Sequence, residues 1–192
     1  MINYMKNKCF IFLFFTLLLS GFLLRVVFHG HASYMIDEIN VVRDAVNQPG
    51  AGAIISTEFA RFTWYHRLPL LMLIIRFFAK LIPYTSSFAP EWITRLPFAL
   101  LGTLSLPFFY LLGKELKDEC SGIWTMFLAT FSVFFVYYSR EAYDYGMAIV
   151  FSTIVLWTSV KLLRYWIASK KFSLPFGAAY MIASTGLIYS HL

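Results

Sequence analysis

The sequence predicts an all-α polytopic membrane protein, with about five transmembrane helices plus interfacial helices in the first external loop. Three observations carry that reading. Of the 192 residues, 59% are hydrophobic and 14% charged, against roughly 45–50% and about 25% in ordinary soluble domains. The mean hydropathy is +0.67. The apolar residues are gathered into runs close to the ~20 residues a helix needs to cross a bilayer. The 21 Phe and 12 Tyr suit lipid-facing surface and interfacial aromatic belts.

Residues 9–28 form the first run, with Lys6 and Lys8 before it and Arg25 near its far end, where a long side chain reaches the interface. The run is long and no small-residue cleavage site closes it, so it reads as an uncleaved span rather than a signal peptide. Residues 29–67 follow as a long polar connection carrying Asp37, Glu38, Arg43, Asp44, Glu58, Arg61, His66 and Arg67. Within it Ile36, Ile39, Val42, Ala45 and Val46 recur at helical spacing, which predicts an amphipathic helix over 36–47 lying on the bilayer. Gln48-Pro49-Gly50-Ala51-Gly52 ends it.

Residues 68–82 are apolar but short and contain Arg76 and Lys80, four apart on one face. Charges there would sit deep in a spanning helix, so this segment reads as surface-lying or partly embedded. Residues 92–112 are long enough to cross, and their Pro97 and Pro107 are tolerable within a bundle. Runs at 122–138, 145–163 and 174–189 complete the count. The chain is thus one membrane domain over 1–192, with a first span at 9–28, an external loop at 29–91 and four further spans in 92–192.

Basic residues decide the orientation, because cytoplasmic loops carry the excess of Lys and Arg. With 68–82 left outside the membrane, Lys6/Lys8, Lys114/Lys117 and Arg164/Lys170/Lys171 all fall on the cytoplasmic side. The loop with Asp37 and Glu38, the turn Ser139-Arg140-Glu141-Ala142-Tyr143-Asp144 and Ser190-His191 then share the external face. This places the chain in a cell membrane as a multi-pass protein with a cytoplasmic N-terminus, a bacterial inner membrane being the expected one.

The net charge of +6 follows from basic loops, and no Lys/Arg run is dense enough for nucleic acid. The two cysteines, Cys9 and Cys120, give neither a disulfide framework nor a zinc site. No Gly-rich phosphate loop or metal-spaced His/Cys set is present. The external set instead combines acids with arginines. A guanidinium fork binds phosphate in a bidentate manner, and a carboxylate accepts a proton from a hydroxyl as general base. A lipid-phosphate headgroup would meet these groups with its tail still in the bilayer. Plainer readings stand beside this one: Arg140 and Glu141 as a helix-end ion pair, Asp37-Glu38 as a helix start favoured by the dipole, His191 as an ordinary interfacial side chain, and Tyr137, Tyr138, Tyr143 and Tyr145 as an aromatic belt. A divalent cation held by carboxylates at Asp37 is an open alternative.

The order of these motifs resembles the N-terminal part of GT-C-type membrane glycosyltransferases, in the branch of the bacterial lipid A aminoarabinose transferases and the dolichyl-phosphate-mannose protein mannosyltransferase-like proteins. Asp37-Glu38 follows the first span. His66-Arg67-Leu68-Pro69-Leu70 is similar to the family's H/K-P-P-L, with arginine and leucine preceding a single proline. Arg95-Leu96-Pro97-Phe98-Ala99-Leu100-Leu101-Gly102 is similar to R-L-P-S-A-L-x-G, and Tyr110-Leu111-Leu112-Gly113-Lys114-Glu115-Leu116 comes next in order. Tyr138-Ser139-Arg140-Glu141-Ala142-Tyr143-Asp144-Tyr145 is similar to Y-S-Q/R-E-A-R-x-Y, with Tyr143 where arginine is common, and Tyr189-Ser190-His191 resembles Y-S/T-H-Y.

The resemblance implies transfer of a sugar from a polyprenyl-phosphate donor, on the external face, to a lipid, glycan or protein acceptor. It implies a catalytic role for Asp37 with Glu38 beside it, lipid-phosphate binding by His66 or Arg67, and a cavity-facing place for Arg140 and Glu141 as further substrate or lipid-phosphate partners. His191 joins the substrate-binding candidates. Family chains are much longer, so the resemblance covers their first part, and a missing C-terminal half or partner chain would complete the cavity. Besides the polyprenyl-phosphate sugar, membrane lipids are the expected partners, and nucleic acid is not. Two other classes compete: a truncated, non-catalytic membrane module needing a partner chain, and a small transporter. The transporter is disfavoured by charges that lie outside the spans and by the lack of an inverted repeat.

Overall fold

A computed structural model of the chain describes residues 2–27, 33–60, 69–81 and 89–191. All its regular elements are helices: α1 (Ile2–Val26), α2 (Ile36–Asn47), α3 (Ala51–Ala60), α4 (Pro69–Leu81), α5 (Glu91–Leu116), α6 (Glu119–Phe131), α7 (Val133–Tyr138), α8 (Tyr145–Ser169) and α9 (Leu174–His191). Three are long and apolar enough to cross a membrane, namely α1 over Lys8–Val26, α5 and α8. By length and composition the chain is a membrane protein.

α5 is the hub. α1, α4, α6 and α8 all pack on it, and α9 packs on the far side of α8. α1 runs antiparallel to α5: Phe14 lies edge-on to Tyr110, with ring centroids 5.1 Å apart, while Gly21 and Arg25 approach Leu106 and Gly102. One apolar cluster gathers Leu17, Leu106, Met126 and Ala129 where α1, α5 and α6 meet. A second lies under the short helices, with Val41, Val42 and Ala45 of α2, Met72 and Ile75 of α4, Phe98 of α5 and Met147 of α8. Met72 and Ile75 are fully buried, each a stabilisation of about 1.5–3 kcal/mol.

Three expectations change. The apolar run 122–138 is not one helix. Ser132 adopts an extended conformation (φ −63°, ψ 117°) and its hydroxyl accepts from Phe135 N, ending α6 and starting α7. Serine competes for local backbone groups in this way, and so the run is split. The α2 helix has the expected bounds, but its inner face is Glu38, Val41, Val42 and Ala45, whereas Ile36 and Ile39 are exposed. Arg25 does not reach outward to the interface: it is fully buried, donating to Gly21 O at 3.1 Å and to Ala129 O at 3.2 Å.

The short helix α4 packs on α2, α3, α5 and α9. Its two cations part company. Lys80 is exposed, while Arg76 is buried and donates to the carbonyls of Ala45, Val46 and Gln48. These are the orphan acceptors at the end of α2, and a cation there also complements the helix dipole.

Candidate functional site

The two adjacent acids of α2 point in different directions, since neighbours on a helix stand about 100° apart. Glu38 turns inward. Its carboxylate accepts from Arg95 Nε at 2.9 Å and Arg95 Nη2 at 2.6 Å, from Met35 N at 3.0 Å and from Ala142 N at 2.6 Å. The Met35 bond is half of a capping box, in which the third helical residue reaches back to the N-cap backbone. Both side chains of the pair are nearly inaccessible, at 4% for Arg95 and 2% for Glu38. One carboxylate therefore joins the start of α2, the first turn of α5 and the turn before α8.

Arg95 is held from its other side as well. Its Nη2 donates to Ser33 O at 3.3 Å, and its guanidinium lies 5.3 Å from the Tyr34 ring centroid, a cation–π arrangement. The Tyr34 hydroxyl bonds Ala89 O at 2.8 Å and Thr94 Oγ1 at 2.7 Å. Burial pushes that phenol up to about 12, so it stays protonated.

Asp37 turns outward and is exposed. It opens onto a cavity of about 220 Å³ that also takes Glu141, Tyr137, Tyr138, Tyr143 and Tyr145 into its walls. The rings interlock: Tyr138 lies 4.5 Å from Tyr145 and Tyr143 5.4 Å from Tyr145. Glu141 is mostly buried. Burial pushes its carboxyl above the ordinary glutamate range and the nearby Glu38 charge adds to this, against the opposing pull of Tyr137 and Arg95. An exposed carboxylate and a carboxyl with raised proton affinity thus share one small aromatic cavity. That pairing is suited to moving a proton to or from a bound hydroxyl, with the tyrosine rings as an apolar floor with polar tips.

The fold brings Asp37, Glu38 and Glu141 together. Glu38, expected as a second catalytic acid, is a strut: its oxygens are occupied by four donors. Arg140 does not line the cavity. Its guanidinium donates to Leu24 O and to Val27 O, capping the end of α1, and it forms no ion pair with Glu141. His66 and Arg67 lie outside the described residues, as does the side chain of His191. No cationic side chain among the described residues lines the cavity. Nor do three His, Cys, Asp or Glu side chains converge anywhere among the described residues so as to hold a metal.

Two features escaped the sequence reading. Arg95 was part of a motif without a role, although an arginine at the mouth of a long apolar run calls for a partner. The four tyrosines, read as an interfacial aromatic belt, also line the cavity. Gly102 explains part of the motif that carries it: a Cβ there would come within 2.2 Å of Ser139 Cβ, so α5 and the turn before α8 meet without a side chain between them. No family model, no curated protein and no solved structure matches the chain.

Proposed function

We propose that the chain is part of a membrane glycosyltransferase that moves a sugar from a polyprenyl-phosphate donor to a lipid, glycan or protein acceptor. Asp37 is the general base that takes the acceptor's proton, and Glu141 is a second, less acidic group in the same cavity. The observation that carries the reading is the exposed Asp37 carboxylate opening on a tyrosine-walled cavity, beside a Glu38 that also lines it but whose oxygens are taken by four donors. A base needs free lone pairs within reach of the proton it abstracts, and of the two adjacent acids Asp37 has them.

The accompanying topology has about five crossings, by α1, α5, the broken pair α6–α7, α8 and α9, with a cytoplasmic N-terminus and the cavity on the external face of a bacterial inner membrane. Its support is the segregation of charge. Lys114, Lys117, Arg164, Lys170 and Lys171 lie at the end of the bundle opposite Asp37 and Glu141, as the positive-inside rule requires. Under this reading the lipid phosphate is met by His66 or Arg67.

One observation favours a second reading, a non-catalytic membrane module that needs another chain. Arg25, Arg76, Arg95 and Arg140 are all engaged with backbone carbonyls or with Glu38, so none is free to bind phosphate. The deciding experiment is sugar transfer by membranes containing the native protein, using labelled polyprenyl-phosphate sugars. Asp37→Asn lowers transfer by about 100-fold or more at unchanged protein level if Asp37 is the base. Transfer that persists at the wild-type rate rules this assignment out.

A further inference from the structure

The far end of the α8–α9 pair holds a groove that none of this chemistry uses. It has a volume of about 590 Å³ and is walled by Leu162, Leu163 and Ile167 of α8, Phe172 of the connecting turn and Tyr180 of α9, with Lys170 and Lys171 at its rim. Leu163 and Ile167 are 62% exposed and Phe172 70%, so the apolar wall faces the surroundings of the bundle. Gly177 shapes its end: a Cβ there would come within 2.3 Å of the Phe172 ring, so the ring folds over the α9 backbone.

The basic residues near this groove fall into two kinds. Lys161 and Arg164 meet Glu115 of α5 at 2.6 and 3.8 Å. Lys170 and Lys171 have no carboxylate partner among the described residues. Lys170 is also held in an unusual place, being the one non-glycine with positive φ (54°) among the described residues, where glycine would be unstrained. Its backbone N–H closes α8 on Trp166 O at 2.8 Å, and its ammonium lies 5.1 Å from the Trp166 ring centroid. Tryptophan and lysine together mark the level of lipid headgroups. Two ammonium groups with no carboxylate partner among the described residues, above an apolar groove, complement a negative headgroup with its tail.

We propose that this groove binds an anionic glycerophospholipid, one acyl chain lying along α8 and the phosphate between Lys170 and Lys171. Commitment to a lipid rather than a free anion rests on the groove, which offers a phosphate nothing but offers a hydrocarbon chain its whole length.

The test uses the purified full chain in detergent, with native mass spectrometry and thermal unfolding as readouts and phosphatidylglycerol or phosphatidylcholine as the added lipid. Phosphatidylglycerol is retained and raises the melting temperature saturably, and phosphatidylcholine does so at least tenfold less effectively. Lys170→Gln with Lys171→Gln weakens phosphatidylglycerol retention by about tenfold and leaves the lipid-free melting temperature unchanged, since both side chains are exposed. Leu163→Trp fills the groove and also weakens retention with both lysines in place. Equal retention of the two lipids, wild-type retention by the double variant, or full displacement of the lipid by inorganic phosphate overturns the proposal.

Discussion

The two ends of the bundle handle charge in opposite ways. At the end of Asp37 four arginines are buried or half-buried and tied inward, although Asp37, Arg43 and Lys80 stay exposed. Arg25, Arg76 and Arg140 are engaged by backbone carbonyls, and Arg95 by Glu38 and Ser33 O. At the other end Lys114 meets Glu119 at 2.8 Å in a surface pair, with both side chains 44% exposed. A buried guanidinium needs partners because an uncompensated buried charge costs several kcal/mol, and Arg25 meets this through its two Nη atoms while its Nε stays without a partner; an exposed pair contributes little either way. The arginines at the first end therefore specify architecture, whereas the pair at the second lies on the surface. Within the first end the same division separates Glu38, a strut, from Asp37, a free carboxylate.

The sharpest way to break this comparison is Glu38→Ala. It leaves Arg95 buried without its partner and frees Ala142 N, and it is expected to cost about 3–5 kcal/mol, read as a collapse of folded protein in the membrane fraction. Asp37→Asn, one residue away, is expected to change stability by under about 0.5 kcal/mol. Similar losses from the two would erase the distinction between strut and free acid.

Next is Arg76→Met, which keeps the buried volume and removes the donor at the end of α2. The expected cost is about 1.5–3 kcal/mol, seen as faster amide exchange over the last turn of α2 with α5 and α8 unaffected.

A smaller effect is expected from Glu141. Its folded-state proton affinity is raised by burial, so the folded protein binds the proton more readily than the unfolded chain. Stability is then fully present below the ordinary glutamate value of about 4.3 and is lost as pH rises through the raised one. Glu141→Gln should flatten that slope in melting temperature measured between acidic and neutral pH. A wild-type slope of opposite sign would show that the carboxyl is held charged. Smallest of all, Lys114→Ala at the opposite end should shift stability by less than about 0.5 kcal/mol, and a large loss there would show that the two ends do not differ.

Several elements could be read directly from local pattern. The bounds of α2 followed from the spacing of its apolar residues and the Pro-Gly stretch behind it, and α5, α8 and α9 from long apolar runs. The apolar run around Arg76 and Lys80 marked α4 as a short helix. The break at Ser132 was missed because hydropathy averages over a run and does not register a single hydroxyl able to cap a new helix. Local pattern also did not show that the fold divides the apolar residues of α2, burying Val42 and Ala45 beside Glu38 and leaving Ile36 and Ile39 exposed.

By itself the sequence determined the all-helical membrane class, the apolar helices and the gathering of acids in a few short segments, because hydropathy and helical period are properties of neighbouring residues. Only the tertiary structure decided which acid is free. Glu38 finds Arg95 at a separation of 57 residues and Ala142 N at 104, and Arg140 finds Leu24 O at 116. Such partners leave no periodic trace in the chain, since they are chosen by how the helices pack around α5.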